Sequence, residues 1–535
     1  MGKRGRRHPE RREPVDRGPV AEKLQDVIRL NLSPLEDSVE LGASASFGEF
    51  GFFCQHLLTV SLPKPEYMLK SVYDAEAFIA KNPDPKVQLQ AVFETCAYVH
   101  ELRHFHDCFS TIAGLGLFGY HLKHIREFIA VCGQLAARDL HWELPAREWA
   151  DDPSCPDEVQ ELVLRHRRES ILLRLFMGSF LINVEEGRSA EPWRDGQFPQ
   201  YGVNIPLYGL SSARGVRNGS SIERFEGTEQ TTWYAVGFQT ILEGNAQSMQ
   251  RSLIEATWPD DVVARAWDAL TSWTTDEKPA YDYNITDYLV TKLLATNDIE
   301  RFPRRIVMQA GDAALMESAP VMDNGPRRYP GEAFAHVLST TDWKKPLSEC
   351  PRPHLADDAA LQQMIHMLEN TPKVEEVTEQ MDKRGPLPIE AVEAWVHHEI
   401  AVPLLRTRLE QGHSVFFDME RYIKCAASLP APPLLVTEGV RIQKLFSDEM
   451  LQLWAHYVVL QSLAQQVLSG ARVIVCPRSN PAFAVLGCTN LSYAEGKSCD
   501  INLTWRRCGY WCKGMDTPTT RCVFTDWLRA LRIAP

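Results

Sequence analysis

A predominantly helical α+β fold is what the sequence predicts, and three features carry that prediction. Long stretches repeat apolar residues at spacings of three and four, the pattern of amphipathic helices. Short alternating stretches near the start ("DVIRLNL", "SVELGASASFGEFGFFCQHLLTVSL") and the strand-like "ARVIVCP" near the end add a little β-structure. The composition, 44% hydrophobic and 24% charged over 535 residues, is that of a globular chain with room for about two to four domains.

Taken in order, residues 1–20 ("MGKRGRRHPERREPVDRGPV") hold Arg, Lys and Pro with almost nothing apolar, and read as a disordered, solubilising basic arm. The alternating stretches follow. "DPKVQLQAVFETCAYVHELRHFHDCFSTIAG" is then a long helix whose Val92, Cys96, Val99 and Leu102 share a face, with Gly114, Gly116 and Gly119 expected to break it. "LFGYHLKHIREFIAVCGQLAARDL" and residues 157–178 are two more helices. After a Gly- and Asn-rich region, "TTWYAVGFQTILEGNAQSMQRSLIEA" reads as another, and 259–272 and 284–296 as two further ones. Pro-rich breaks near 318–332, 343–355, 371–388 and 429–434 punctuate a helical middle region, where "IEAVEAWVHHEIAVPLLRTRLEQG" is clear. "SDEMLQLWAHYVVLQSLAQQVLSG" is the next clear helix. The last stretch is a small α/β region bearing six cysteines, of which only Cys508 and Cys512 are closely spaced, so these read as thiols rather than a structural zinc site.

Charge and composition narrow the function classes. A formal charge of -13 argues against broad binding to nucleic acid or anionic membrane, leaving at most a weak role for the basic arm. No run approaches the roughly 18 apolar residues of a membrane span. No apolar segment follows the basic start, so a secretory signal is not expected, and Arg6 stands where myristoylation wants Ser or Thr. Thirteen scattered cysteines fit reduced thiols. A cytoplasmic protein is the expectation. No phosphate-cradling Gly loop, G-x-S-x-G elbow or dinucleotide fingerprint is present.

The chemistry concentrates in "CAYVHELRHFHDC", residues 96–108. His100, Glu101 and His104 spell H-E-x-x-H, a pattern that arises by chance in only about 3 to 4% of chains of this composition. Four residues make one helical turn, so the two imidazoles can converge on one ion, which keeps open positions for water and substrate. Glu101, beside the first histidine, can take a proton from water there as a general base. Asp107 shares the histidines' face and can orient one ring, or is equally a surface acid late in the helix.

"HELRH" resembles the catalytic helix of zincin metallopeptidases. A third histidine six residues after the second would mark the metzincin branch, but that position is Ser110. The gluzincin branch instead implies a glutamate on a later helix. Of Glu127, Glu143, Glu185, Glu186 and Glu243, the leading one is Glu243, central in "FQTILEGNAQSM", because a carboxylate among apolar residues needs a partner. A water-facing Glu243, or another of these acids, is the alternative. Gln247 stands where many gluzincins carry an aspartate that orients the first histidine, and its amide accepts a hydrogen bond more weakly than a carboxylate. Tyr281, Tyr283, Tyr288 and Tyr234 are open choices for an oxyanion donor.

The resemblance thus implies a zincin-like, gluzincin-type catalytic domain with a small mixed sheet over residues 21–318, one catalytic Zn²⁺ on His100, His104 and Glu243, and a protein or peptide substrate. A helical region (319–434) and the Cys-bearing α/β region (435–535) follow. The alternatives are a metal-dependent hydrolase or tailoring enzyme acting on a non-peptide substrate, and a non-catalytic interaction protein.

Overall fold

The structure, a computed structural model, describes residues 75–178 and 236–276, most of 303–341, 358–384, 388–430 and 448–474, residues 527–533 and a few residues between, together with the backbone of short strands. The basic arm, the C-terminal cysteines and Tyr281, Tyr283 and Tyr288 lie outside the described residues.

The packed body is 82% helical, with no strand and no sheet. This corrects the expected α+β architecture: among the described residues a zincin-like catalytic domain with a mixed sheet is not shown. The physical reason is where the apolar residues go. One core cluster runs from Tyr98 to Ile533, and helices supply most of it. Strands β1 (Glu40–Leu41), β2 (Phe52–Cys54), β3 (Thr59–Leu62), β4 (Phe180–Glu185), β5 (Arg188–Ser189), β6 (Gly215–Asn218), β7 (Ser221–Glu226), β8 (Glu229–Val236), β9 (Leu434–Val436) and β10 (Val440–Ile442) are short. They pair in the orders β1-β10-β9-β3-β2 and β5-β4-β8-β7-β6. The first joins strands from widely separated parts of the chain, with β3 parallel to β9, so it is no local sheet of one catalytic domain.

Two helices come first, α1 (Ala75–Lys81) and α2 (Pro85–Ser110). Helix α2 starts where Asp84 caps the backbone N–H of Lys86 and Pro85 takes the first turn, where a missing N–H costs nothing. Nearly every residue from Gln88 to Ser110 is buried. The long helix does break, but at Thr111, whose extended backbone (φ −124°, ψ 153°) separates it from α3 (Ile112–Ala137). Thr111 Oγ1 donates to the Asp107 carbonyl and accepts from the Gly114 N–H, closing one helix and capping the next. Gly114 lies within α3 because a Cβ there would sit 2.1 Å from the Cys108 carbonyl oxygen.

The rest wraps these two. Helices α4 (Ala146–Trp149) and α5 (Asp157–Gly178) follow, then α6 (Phe238–Thr257), which lies along α2, and α7 (Asp260–Asp276). Next come α8 (Pro303–Glu317), packed on α6, α9 (Pro330–Thr340), α10 (Asp358–Glu369), α11 (Val374–Arg384) and α12 (Pro388–Trp395). A π-helical turn, Val396–Ala401, joins α12 to α13 (Val402–Gln411). Pro403 lies just beyond it and has no N–H to give, and the Val402 N–H reaches back five residues to the His397 carbonyl. A 3-10 turn, His413–Phe416, and α14 (Asp448–Ser469) complete the body. Among the described residues no helix is long and apolar enough to cross a membrane.

Candidate metal centre

Helix α2 presents His100, Glu101 and His104, all buried, and α6 brings Glu243 to them from 143 residues away. His100 Nε2 lies 3.0 Å from Glu243 Oε2 and 3.0 Å from His104 Nε2, and His104 Nε2 lies 3.4 Å from the same carboxylate oxygen. The rings meet edge to face, their centroids 4.6 Å apart. Of the glutamates weighed from the sequence whose side chains are described, Glu243 is the one that meets both rings. Glu127 pairs with Arg165 and Lys123, and Glu143 is exposed. The side chains of Glu185, Glu186 and Tyr234 lie outside the described residues.

Small residues let α6 pack closely on its other neighbours. A Cβ on Gly244 would sit 1.9 Å from Thr286 Oγ1, and one on Gly311 of α8 would sit 2.3 Å from Asn245 Oδ1. Asn245 is fully buried and donates from Nδ2 to Asp107 Oδ2 at 3.1 Å. Asp107 in turn pairs with Arg103, Oδ1 to Nη2 at 2.7 Å. Arg103 also donates to the Phe416 carbonyl. Asp107 thus joins α2 to α6 beneath the histidines. At His100 Nδ1 the structure places Gln250, with Oε1 3.2 Å away. The sequence pointed to Gln247, three residues earlier and half-buried. Seven residues separate Glu243 from Gln250, two turns on one face, and that spacing was the available signal for Gln250. His106, beside the motif, is structural: its Nδ1 meets Tyr422 Oη at 2.7 Å and its Nε2 meets the Pro430 carbonyl at 2.8 Å.

The electrostatics favour a cation. Burial opposes charge on His104, but the carboxylates of Glu243, Glu101 and Asp107 outweigh it and push its pKa up to about 9. Burial likewise opposes charge on Glu243, yet the His104 and His100 imidazoles hold its carboxyl well below the usual range.

The donor set fits a metal ion. The ligand atoms of His100, His104 and Glu243 all lie within 4.8 Å of one another. A tetrahedral ion with bonds of about 2.0 to 2.1 Å sets its donors about 3.3 to 3.4 Å apart, close to the separations found here. If Gln250 fixes the His100 proton on Nδ1, then His100 Nε2 and Glu243 Oε2 are two lone-pair atoms in contact, and a shared cation relieves that contact. Two neutral imidazoles and one carboxylate are the donors of a catalytic zinc site with an open position. No family model, curated protein or solved structure matches the chain.

Proposed function

We propose that the chain is a zinc-dependent hydrolase that cleaves a peptide bond in a protein or peptide substrate. The observation that carries this reading is the meeting of Glu243 with the two histidines of the HELRH helix, which supplies the third donor that the motif lacks. The reading rests on this site and not on a zincin fold. His100, His104 and Glu243 would hold the ion. Zinc bound there supplies a Lewis acid for a carbonyl oxygen and makes a nearby water easier to deprotonate. Glu101, buried on the same helix and close enough to His104 to raise its pKa, takes the proton of the attacking water and passes it to the leaving amine.

Metal analysis of the purified protein tests the centre, with about one zinc per chain expected and none in a His100→Ala, His104→Ala double variant. Glu101→Gln should keep the metal and lose cleavage of a protein panel by at least about 100-fold, the usual contribution of a positioned base. A wild-type protein that binds no divalent ion overturns the reading. Turnover confined to non-peptide metabolites would keep the metal centre and replace the substrate class.

A further inference from the structure

We infer that Gln250 is the positioning residue for His100, fixing its proton on Nδ1 so that Nε2 faces Glu243 and His104 with a free lone pair. The inference rests on the metal-centre reading above and assigns the orienting group of that centre. Gln250 Oε1 lies 3.2 Å from His100 Nδ1. The Gln250 amide oxygen and the Glu243 carboxylate oxygen both carry only lone pairs, so they compete for the ring hydrogen, and an ion on Nε2 leaves it on Nδ1, facing Gln250. A neutral imidazole has one N–H, which leaves Nε2, 3.0 Å from Glu243 Oε2 and 3.0 Å from His104 Nε2, as the metal-binding atom.

A further observation supports the assignment. At the other ligand, His104 Nδ1 is buried with no hydrogen-bond partner among the described residues. Of the two imidazoles, His100 is therefore the one for which an outer hydrogen bond selects the tautomer. An amide is a weaker acceptor than the carboxylate that often serves a metal-bound histidine, so it orients this ring without adding a charge to a pocket that already holds Glu243, Glu101 and Asp107.

The test is zinc affinity, measured on folded metal-free protein by competition with a chromophoric chelator. Gln250→Leu removes the acceptor and should weaken zinc by about 10- to 100-fold, whereas Gln250→Glu, which keeps an acceptor at the same reach, should bind at least as tightly as wild type. A variant that merely loosens packing would not be rescued by glutamate. If Gln250→Leu fails to fold, ¹⁵N-histidine spectra of the wild-type protein decide instead: with zinc bound, His100 should carry its proton on Nδ1. Zinc binding by Gln250→Leu within about threefold of wild type, or a His100 proton on Nε2, overturns the assignment while the metal centre stands. Failure of the wild-type protein to bind zinc removes both.

Discussion

Asn245 and Asp107, 138 residues apart, join the two helices of the candidate metal centre through one fully buried hydrogen bond, Nδ2 to Oδ2 at 3.1 Å. Asn245 follows Glu243 by two residues and Asp107 follows His104 by three, so this bond sets how closely the acid approaches the rings. Asn245→Leu should leave Asp107 short of a donor and cost about 1 to 3 kcal/mol of stability. It should also weaken zinc, because Glu243 loses its register. Urea unfolding and a zinc titration on the same variant measure the two effects. Gly311→Ala should act in the same direction, since its Cβ would displace the Asn245 amide.

Arg408 and Asp312 form a second buried pair, each fully enclosed, with Nη1–Oδ2 at 2.7 Å and Nη2–Oδ1 at 2.5 Å. Arg408 also holds the Ser110 carbonyl at the end of α2, and its guanidinium stacks 4.3 Å from the Phe416 ring centroid. Breaking the pair on one side, as in Asp312→Leu, should destabilise by about 3 to 5 kcal/mol, because a charge stays buried alone. The double variant Arg408→Met, Asp312→Leu should recover much of that loss. Chemical denaturation of both variants separates the outcomes.

His106 gives stability an acid dependence. Burial, with a further push from the Arg103 charge, lowers its pKa from 6.5 to about 3 in the folded chain, against the opposing bond to Pro430. The unfolded chain therefore takes up the proton first as pH falls. Stability is unaffected by this group above about pH 6.5 and declines below it, by up to about 1.4 kcal/mol per pH unit until about pH 3. Denaturation at pH 7, 6 and 5 should show the decline, and His106→Gln should flatten it.

Zinc uptake should carry a pH signature of the same sense, over a higher range. In the metal-free protein His104 stays protonated up to about pH 9, held there by Glu243 against the cost of burial. The ion must displace that proton, so zinc affinity should rise by about tenfold per pH unit from roughly pH 6.5 to 9 and level off above. Titrations at pH 7, 8 and 9 check this, and a flat profile would show that His104 is neutral before the metal arrives.

The three residues that meet in the candidate site were legible because each obeys a local rule. His100 and His104 stand one turn apart, and Glu243 is a carboxylate in the middle of an apolar helix pattern. The groups that aim and brace them were not legible. Asp107 could be placed on the right face, but its partner Asn245 comes from a distant helix, and nothing in the local pattern ties Asp312 to Arg408, 96 residues on. Gln247 was named by analogy with a family spacing, and Gln250 was not considered, whereas the amide contact observed follows the packing of α6 on α2. Most helices were readable from apolar spacing, but Val374–Arg384 falls inside a stretch taken for a Pro-rich break, since its prolines flank rather than interrupt it. The expected catalytic sheet failed for a related reason: alternation marks strand-forming segments but not whether they join the core. Thr111 ended the metal helix where glycines had been expected to, because a hydroxyl that serves both helix ends is a sharper stop than a flexible backbone.

The Phe416 carbonyl that receives Arg103 lies 313 residues downstream of it, and Tyr422 and Pro430, which hold His106, lie farther still. During synthesis, the helix carrying the histidines leaves the ribosome long before these braces exist. Competence is thereby deferred until translation is well past residue 430, and a product stopping short of that point would carry the ligands without the scaffold that aims them.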